Sequence, residues 1–215
     1  MRLSLVGMSG SGKSFWSEKL SRSGFRRIGC DDLIAVRLGI ELGQEGDNIA
    51  TVGRWMGFPF EPLYKEHEAA YLAAEMEVMA QILRDFAKVE DKPEEAIVVD
   101  TTGSVIYTGE GILSRLRERT IVVHLSTPLE IQQMKLLAYQ KNPRPVLWRD
   151  MFSTRPGETN EQALARCYPQ LLASRERQYE KLAHVTISYY KHRKAGFGVE
   201  ELLGEAGFRL TRLPA

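Results

Sequence analysis

Gly7-Met8-Ser9-Gly10-Ser11-Gly12-Lys13-Ser14, GMSGSGKS, fits the pattern G-x-x-x-x-G-K-[ST]. An apolar run from Leu3 to Val6 precedes it, and a helical pattern from Lys13 to Ser21 follows. That strand, loop and helix context is what the pattern needs to bind phosphate. Glycines let the backbone pass close to phosphate oxygens and turn several N–H groups inward. The helix N-terminus adds a partial positive charge. Lys13 is placed to reach the β- and γ-phosphates, and the Ser14 hydroxyl to ligate Mg²⁺. Gly7, Ser9, Gly10, Ser11, Gly12, Lys13, Ser14 and Phe15 are therefore the expected nucleotide-binding residues, with ATP and Mg²⁺ as cofactors.

Outward from the loop, apolar runs alternate with helical patterns. Ile97 to Val99, Ile121 to Leu125 and Val185 to Ser188 read as short buried strands. Helices are expected over Pro128–Gln140, which opens with Ser126-Thr127-Pro128, and over Gln162–Ala183 and Val199–Ala206. Strands alternating with helices imply an α/β, three-layer P-loop NTPase fold with a mostly parallel sheet covered on both faces. Two segments break the rhythm. Leu33 to Lys88 has no convincing strand and reads as a helical insertion around the block Tyr64 to Phe86. Asn142 to Asn160 is polar, contains proline and carries Arg144, Arg149 and Arg155, the mark of a functional loop such as a lid. The expected organisation is one kinase domain over 1–215, with a helical acceptor-binding subdomain at 33–88 and a lid at 142–160.

The chain has 215 residues, 43% hydrophobic and 27% charged, as expected of a soluble globular protein. Its 29 Lys and Arg nearly balance 28 Asp and Glu, so there is no footprint for nucleic acid or an anionic membrane. Cys30 and Cys167 match no metal-ligand spacing and read as reduced thiols. No apolar run approaches the roughly 20 residues that span a bilayer, and the start lacks a signal peptide's apolar region. A cytoplasmic protein is expected. No guanine-reading Asn-Lys-x-Asp is present, which argues against a GTPase. A small chain with a helical insertion and an Arg-bearing lid points to a kinase that closes over its acceptor to exclude water.

With these landmarks in order, the chain resembles the shikimate kinase family of P-loop proteins. Besides the loop, Gly29-Cys30-Asp31-Asp32 resembles the family's acidic acceptor-site motif. Tyr64-Lys65-Glu66-His67-Glu68 resembles its Phe-Arg-x-x-Glu helix, and Val99 to Ser104 stands where a Thr-Gly-Gly-Gly strand end is found. Arg144-Pro145-Val146-Leu147 resembles the lid's Arg-Pro-Leu-Leu, and Arg175 with Tyr179 the family's late Arg and Tyr. The resemblance implies transfer of phosphate from ATP to a hydroxyl of a small anionic metabolite, by a protein that is a monomer by family default. Lys13, Asp31 and Arg144 become the expected catalytic residues, and Asp31, Lys65, Thr102, Gly103 and Arg175 the expected acceptor contacts. Asp31 would orient the attacking hydroxyl, although its neighbour Asp32 could serve instead. Arg144 would stabilise charge on the transferred group.

The sequence also departs from the family. An acid that helps hold Mg²⁺ is replaced by Gly29, the acceptor-reading arginine by Lys65, and two glycines by Thr102 and Ser104, whose side chains would enter the pocket. Asp100, at the end of the strand Ile97-Val98-Val99, is expected to support Mg²⁺ together with Ser14; orienting the acceptor, or merely ending the strand, are the other readings. Trp55 and Trp148 could line the acceptor site, His124 reads as a core histidine, and Lys191 to Lys194 as a basic loop that could touch the nucleotide. Another small-alcohol or nucleotide kinase, or a nucleotide-binding regulator without turnover, would keep the same loop.

Overall fold

A computed structural model describes residues 1–41, 48–88, 95–141 and 144–208. Five parallel strands form one sheet in the order β2-β3-β1-β4-β5: β1 Arg2–Val6, β2 Arg26–Gly29, β3 Ile97–Asp100, β4 Ile121–Leu125 and β5 Val185–Ile187. The period-two alternation of side chains sorts the strand residues onto two faces. Leu3, Leu5, Val98, Val123 and Leu125 pack with Trp16 and Leu20 of α1 (Lys13–Arg22) and Leu202 and Leu203 of α9 (Val199–Glu205). Val6, Val99 and Val122 face the opposite layer. That layer holds α2 (Cys30–Arg37), α3 (Asn48–Met56), α4 (Tyr64–Lys88), α5 (Glu110–Arg119) and α7 (Asn160–Leu182). Helices α6 (Leu129–Lys141) and α8 (Tyr189–His192) complete the chain. The three-layer P-loop α/β fold is thus as the alternating pattern implied.

The central strands β1 and β3 are buried along nearly their whole length, which is why they read as apolar runs. Edge strand β2, Arg-Arg-Ile-Gly, is partly exposed and carries only one large apolar residue, so periodicity does not reveal it. Between β2 and β3 the described residues form the helices α2, α3 and α4, and α2 begins at Cys30, earlier than position 33; residues 42–47 lie outside the described residues. Of the expected lid, Asn142 and Pro143 also lie outside them. The rest is not a wholly solvated loop: Val146, Leu147 and Trp148 are buried. A capping box, with Thr159 accepting from the Gln162 N–H and Gln162 from the Thr159 N–H, starts α7.

Candidate active site

The loop between β1 and α1 curls because its glycines adopt backbone conformations closed to other residues. Gly7 has φ 144° and a Cβ there would lie 2.7 Å from the Leu125 carbonyl oxygen; Gly12 caps α1 at φ 112°. No side chain caps α1 and no acid occupies its first turn, so the helix N-terminus presents its N–H groups to an anion. Lys13 is buried and donates to the carbonyls of Gly7 (2.8 Å) and Met8 (3.0 Å). Burial pulls its ammonium below the usual lysine range, opposed by the charges of Asp100 and Asp31.

Above the loop, a cavity of about 280 Å³ is lined by Ser9, Gly10, Lys13 and Ser14, by Asp31 and Tyr71, and by Gly103, Arg144 and Arg175. The structure therefore gathers residues that are far apart in sequence. Asp31 stands in the first turn of α2, accepts a hydrogen bond from the Tyr71 hydroxyl at 3.3 Å, and is raised by desolvation to about 6. Gly103 comes so close to the loop that a Cβ would sit 3.4 Å from the Ser9 nitrogen. Its carbonyl accepts from Arg175 Nη1 (3.4 Å) and from the Tyr179 hydroxyl. Arg175 Nη2 donates to the Leu147 carbonyl at 2.6 Å, which ties α7 to the segment bearing Arg144. That segment is pinned from α4 as well: the Tyr64 hydroxyl donates to Val146 O (2.8 Å) and accepts from Trp148 N, while Glu68 accepts from Arg149 N. The arrangement can hold a phosphate chain, place a hydroxyl near a carboxylate, and surround the point between them with three cations.

Two expected acceptor contacts are not there. Lys65 is exposed on the outer face of α4, one residue beyond inward-facing Tyr64, and does not line the cavity. Thr102 is buried and turns its hydroxyl away to Glu75 on α4, with Ser104 donating to the other Glu75 oxygen at 2.6 Å. The side chains of Thr102 and Ser104 therefore do not enter the pocket as expected, since a carboxylate behind the turn accepts them. Glu75 is fully buried and raised to about 7, chiefly by desolvation against these two donors. Glu75 and Tyr71 were not singled out from sequence, although both fall on the inward stripe of α4 at helical spacing, where a Glu among apolar residues is an anomaly.

Asp100 is buried, and its Oδ2 accepts from Ser17 Oγ (3.0 Å) and pairs with Arg27 Nη2 at 2.7 Å. Its Oδ1 makes no hydrogen bond among the described residues. Ser17 also donates to the Ser14 carbonyl, so the carboxylate stands behind the first turn of α1. An orphaned carboxylate oxygen beside the Ser14 turn fits a divalent cation. On the far side of the loop, a second cavity of about 490 Å³ is lined by Gly12, Phe15, Trp16, Lys19, His192 and Arg193. The basic loop thus does reach the phosphate loop: a Cβ at Gly12 would lie 3.4 Å from His192 Cε1. Trp16 donates to His192 Nδ1 at 3.2 Å, and desolvation lowers that imidazole to about 4. Trp148 and Trp55 are packing residues instead; the first is buried beside Tyr139 and the second stacks on His67. His124 is a core histidine, 3.3 Å from Glu176.

A sequence model of the family described as shikimate kinase matches residues 60–206. Among solved structures, the chain is similar to the shikimate kinase of Acinetobacter baumannii in complex with shikimate, with TM-score 0.56 and 24% identity over 94% of this chain and 87% of that one. The Aquifex aeolicus shikimate kinase gives 0.60 and 19% identity, covering 96% of each chain. That of Bacteroides thetaiotaomicron gives 0.61 and 15%, over 97% of this chain and 99% of the other. At these identities the likeness is one of fold. Comparison with curated proteins gives no match.

Proposed function

The chain belongs to the shikimate kinase family, a small-molecule kinase with a nucleotide-binding P-loop, and from that premise we propose that it transfers the γ-phosphoryl group of ATP, with Mg²⁺, to a hydroxyl of a small anionic metabolite. The observation that carries this reading is the convergence of Lys13, Asp31, Arg144 and Arg175 on one cavity of about 280 Å³ beside the phosphate loop. Lys13 and the N–H groups of α1 hold the phosphate chain. Ser14 and Asp100 would hold the metal ion, which, when bound, draws charge from the phosphate oxygens. Asp31, raised to about 6, orients the acceptor hydroxyl and takes its proton late. Arg144 neutralises charge on the moving group, and Arg175 with the backbone of Gly103 receives an acidic group of the acceptor. The cavity beside Phe15 and His192 suits the nucleoside.

Shikimate is the first acceptor to test, because one structural relative is a complex with it. Lys65 lies outside the cavity, so Arg175 alone would grip a carboxylate, which favours an acceptor with a single acidic group. The chain would act as one kinase domain, with 33–88 as the acceptor-binding insertion and 142–160 as its lid, a monomer in the cytoplasm. Among the described residues no helix is long and apolar enough to cross a membrane. The test is acceptor-dependent ADP release over a panel of hydroxy acids, polyols and nucleosides, with shikimate included. Stimulation by a hydroxy acid supports the reading. Stimulation only by a neutral polyol or a nucleoside replaces the acceptor, and nucleotide binding without turnover on any acceptor leaves a regulator.

A further inference from the structure

We propose that Arg27, on edge strand β2, is a positioning residue of the metal site. It takes one oxygen of Asp100 and balances its charge, so that the site holds a divalent ion only together with a nucleotide. The inference rests on the reading of Ser14 and Asp100 as the metal-supporting pair. It assigns a role to a residue outside the phosphate loop and outside the motifs that carry the family resemblance.

The geometry of the pair is one-sided. Arg27 Nη2 donates to Asp100 Oδ2 at 2.7 Å, and Arg27 Nε donates to Ser17 Oγ at 2.8 Å. Ser17 Oγ bonds the same Oδ2 (3.0 Å) and the Ser14 carbonyl (3.0 Å). A guanidinium beside a carboxylate frequently takes both oxygens in a fork. Here the fork spans Asp100 and Ser17 instead, and Asp100 Oδ1, although buried, makes no hydrogen bond among the described residues. A buried acceptor left unpaired costs stability. Pairing through both oxygens would serve a purely structural tie better; this pairing keeps one oxygen open.

The charges around the phosphate loop show what the pairing does. The acids facing Lys13 are Asp100, Asp31 and Glu75, and the cation facing it is Arg175. With Arg27 paired to Asp100 from β2, these three acids meet three cations, Lys13, Arg175 and Arg27. A divalent ion that arrives alone finds no negative charge in surplus. A polyphosphate brings that charge itself, so the ion is held with the nucleotide and not before it. Two more acids, Asp32 and Glu18, face Arg27, but both are exposed, whereas Asp100 is buried. The Arg27 side chain lies at the edge of the sheet and is 29% exposed, so its charge can be removed without opening the core.

The test titrates Mn²⁺, a paramagnetic substitute for Mg²⁺, into the protein with and without ADP and reads the free ion by its electron spin resonance. Wild type is compared with Arg27→Gln, Arg27→Lys, Asp100→Asn and the double variant Arg27→Gln/Asp100→Asn. Glutamine keeps a donor for Asp100 and removes the charge. A unit charge a few ångströms from a divalent ion costs about tenfold in affinity even at the dielectric of water. Arg27→Gln should therefore bind Mn²⁺ without ADP at least about tenfold more tightly than wild type, and the double variant should lose that gain. Arg27→Lys keeps the charge and should stay within about threefold of wild type. Mn²⁺ affinity of Arg27→Gln within about twofold of wild type, with only a lower thermal transition, overturns the proposal and leaves the pair a structural tie. A gain that survives in the double variant arises elsewhere and overturns it too. Should Arg27→Gln fail to fold, wild type decides: Mn²⁺ bound without nucleotide below about 0.1 mM, and released by Asp100→Asn, overturns the proposal. If Asp100→Asn leaves Mn²⁺ binding with ADP unchanged, the reading of Asp100 as metal support fails, and this inference with it.

Discussion

Glu75 offers a prediction whose size follows from its surroundings. The side chain is fully buried, accepts hydroxyl hydrogen bonds from Thr102 and Ser104, and is raised from 4.5 to about 7. The folded protein therefore holds a proton there more tightly than the unfolded chain does. Its contribution to stability is complete below about pH 4.5 and is lost as pH rises through about 7. A gap of about 2.5 units at 1.36 kcal/mol each makes that loss ~3 kcal/mol. Glu75→Gln keeps the shape and removes the titration. The amide can still accept one hydroxyl and donate to the other, so at pH 4.5 the variant should differ from wild type by no more than ~1 kcal/mol. At pH 8 it should be favoured by ~3 kcal/mol relative to that difference. Asp31 titrates nearby, but it is present in both proteins and largely subtracts. Urea unfolding followed by tryptophan fluorescence at the two pH values measures the quantity. An offset between wild type and Glu75→Gln that is the same at pH 4.5 and pH 8 would refute the reasoning.

Lys13→Ala should leave the thermal transition intact, since the glycines shape the loop, and should lower the turnover rate at least about a hundredfold; near-normal turnover by the folded variant contradicts the kinase assignment. Arg144→Ala should lower kcat far more than ATP affinity, because its contact belongs to the transferring phosphoryl group. Cleavage by a protease within 152–159, beyond the pinned Val146 to Trp148, should fall when nucleotide and acceptor are both bound; cleavage indifferent to ligands argues against closure. Asp100→Asn should raise the Mg²⁺ concentration required for activity by about 10–100-fold with little change in acceptor KM, whereas a depressed rate at saturating Mg²⁺ would assign Asp100 to the acceptor.

What the sequence discloses is what local chemistry dictates. The P-loop could be read because glycine, lysine and serine at fixed spacing between an apolar run and a helix admit few other uses. Strands β1, β3 and β4 were readable because burial on both faces leaves near-continuous apolar runs. Strand β2 was not, because Arg26 and Arg27 occupy half of it, and Arg27 spends its charge on Asp100 in another strand. The site residues divide in the same way. Asp31, Arg144 and Arg175 have local patterns that place them, and the fold brings them to one cavity. Lys65 and Thr102 were assigned by position alone, and two facts of packing displaced them. Tyr64, not Lys65, faces inward at the start of α4, and Thr102 found a carboxylate three helical turns further along that helix. Glu75 carried a readable signal, an acid on a buried stripe, but its partner lies 27 residues away and only the tertiary structure joins them.

The position of Asp100 follows from the same kind of exchange. Strand register sets Gly29 of β2 directly opposite Asp100 of β3, so the two positions share one end of the sheet. A side chain at 29 would have little room: its Cβ would lie 3.2 Å from Asp32 Oδ2 and 3.5 Å from both Arg27 Nη atoms. The guanidinium fills the space that an acid on β2 would use, and pairs with the acid on β3. Were both strands acidic, two buried carboxylates would face each other, and one of them would be driven to bind a proton. With glycine at 29 and arginine at 27, a single carboxylate stands at this end of the sheet, one oxygen fixed by Arg27 and Ser17 and the other making no hydrogen bond among the described residues. The acid has in effect moved one strand inward, toward β1 and its loop, since β3 lies between β2 and β1. Ser17, one turn after Ser14, bridges the two, donating to the Ser14 carbonyl and to Asp100.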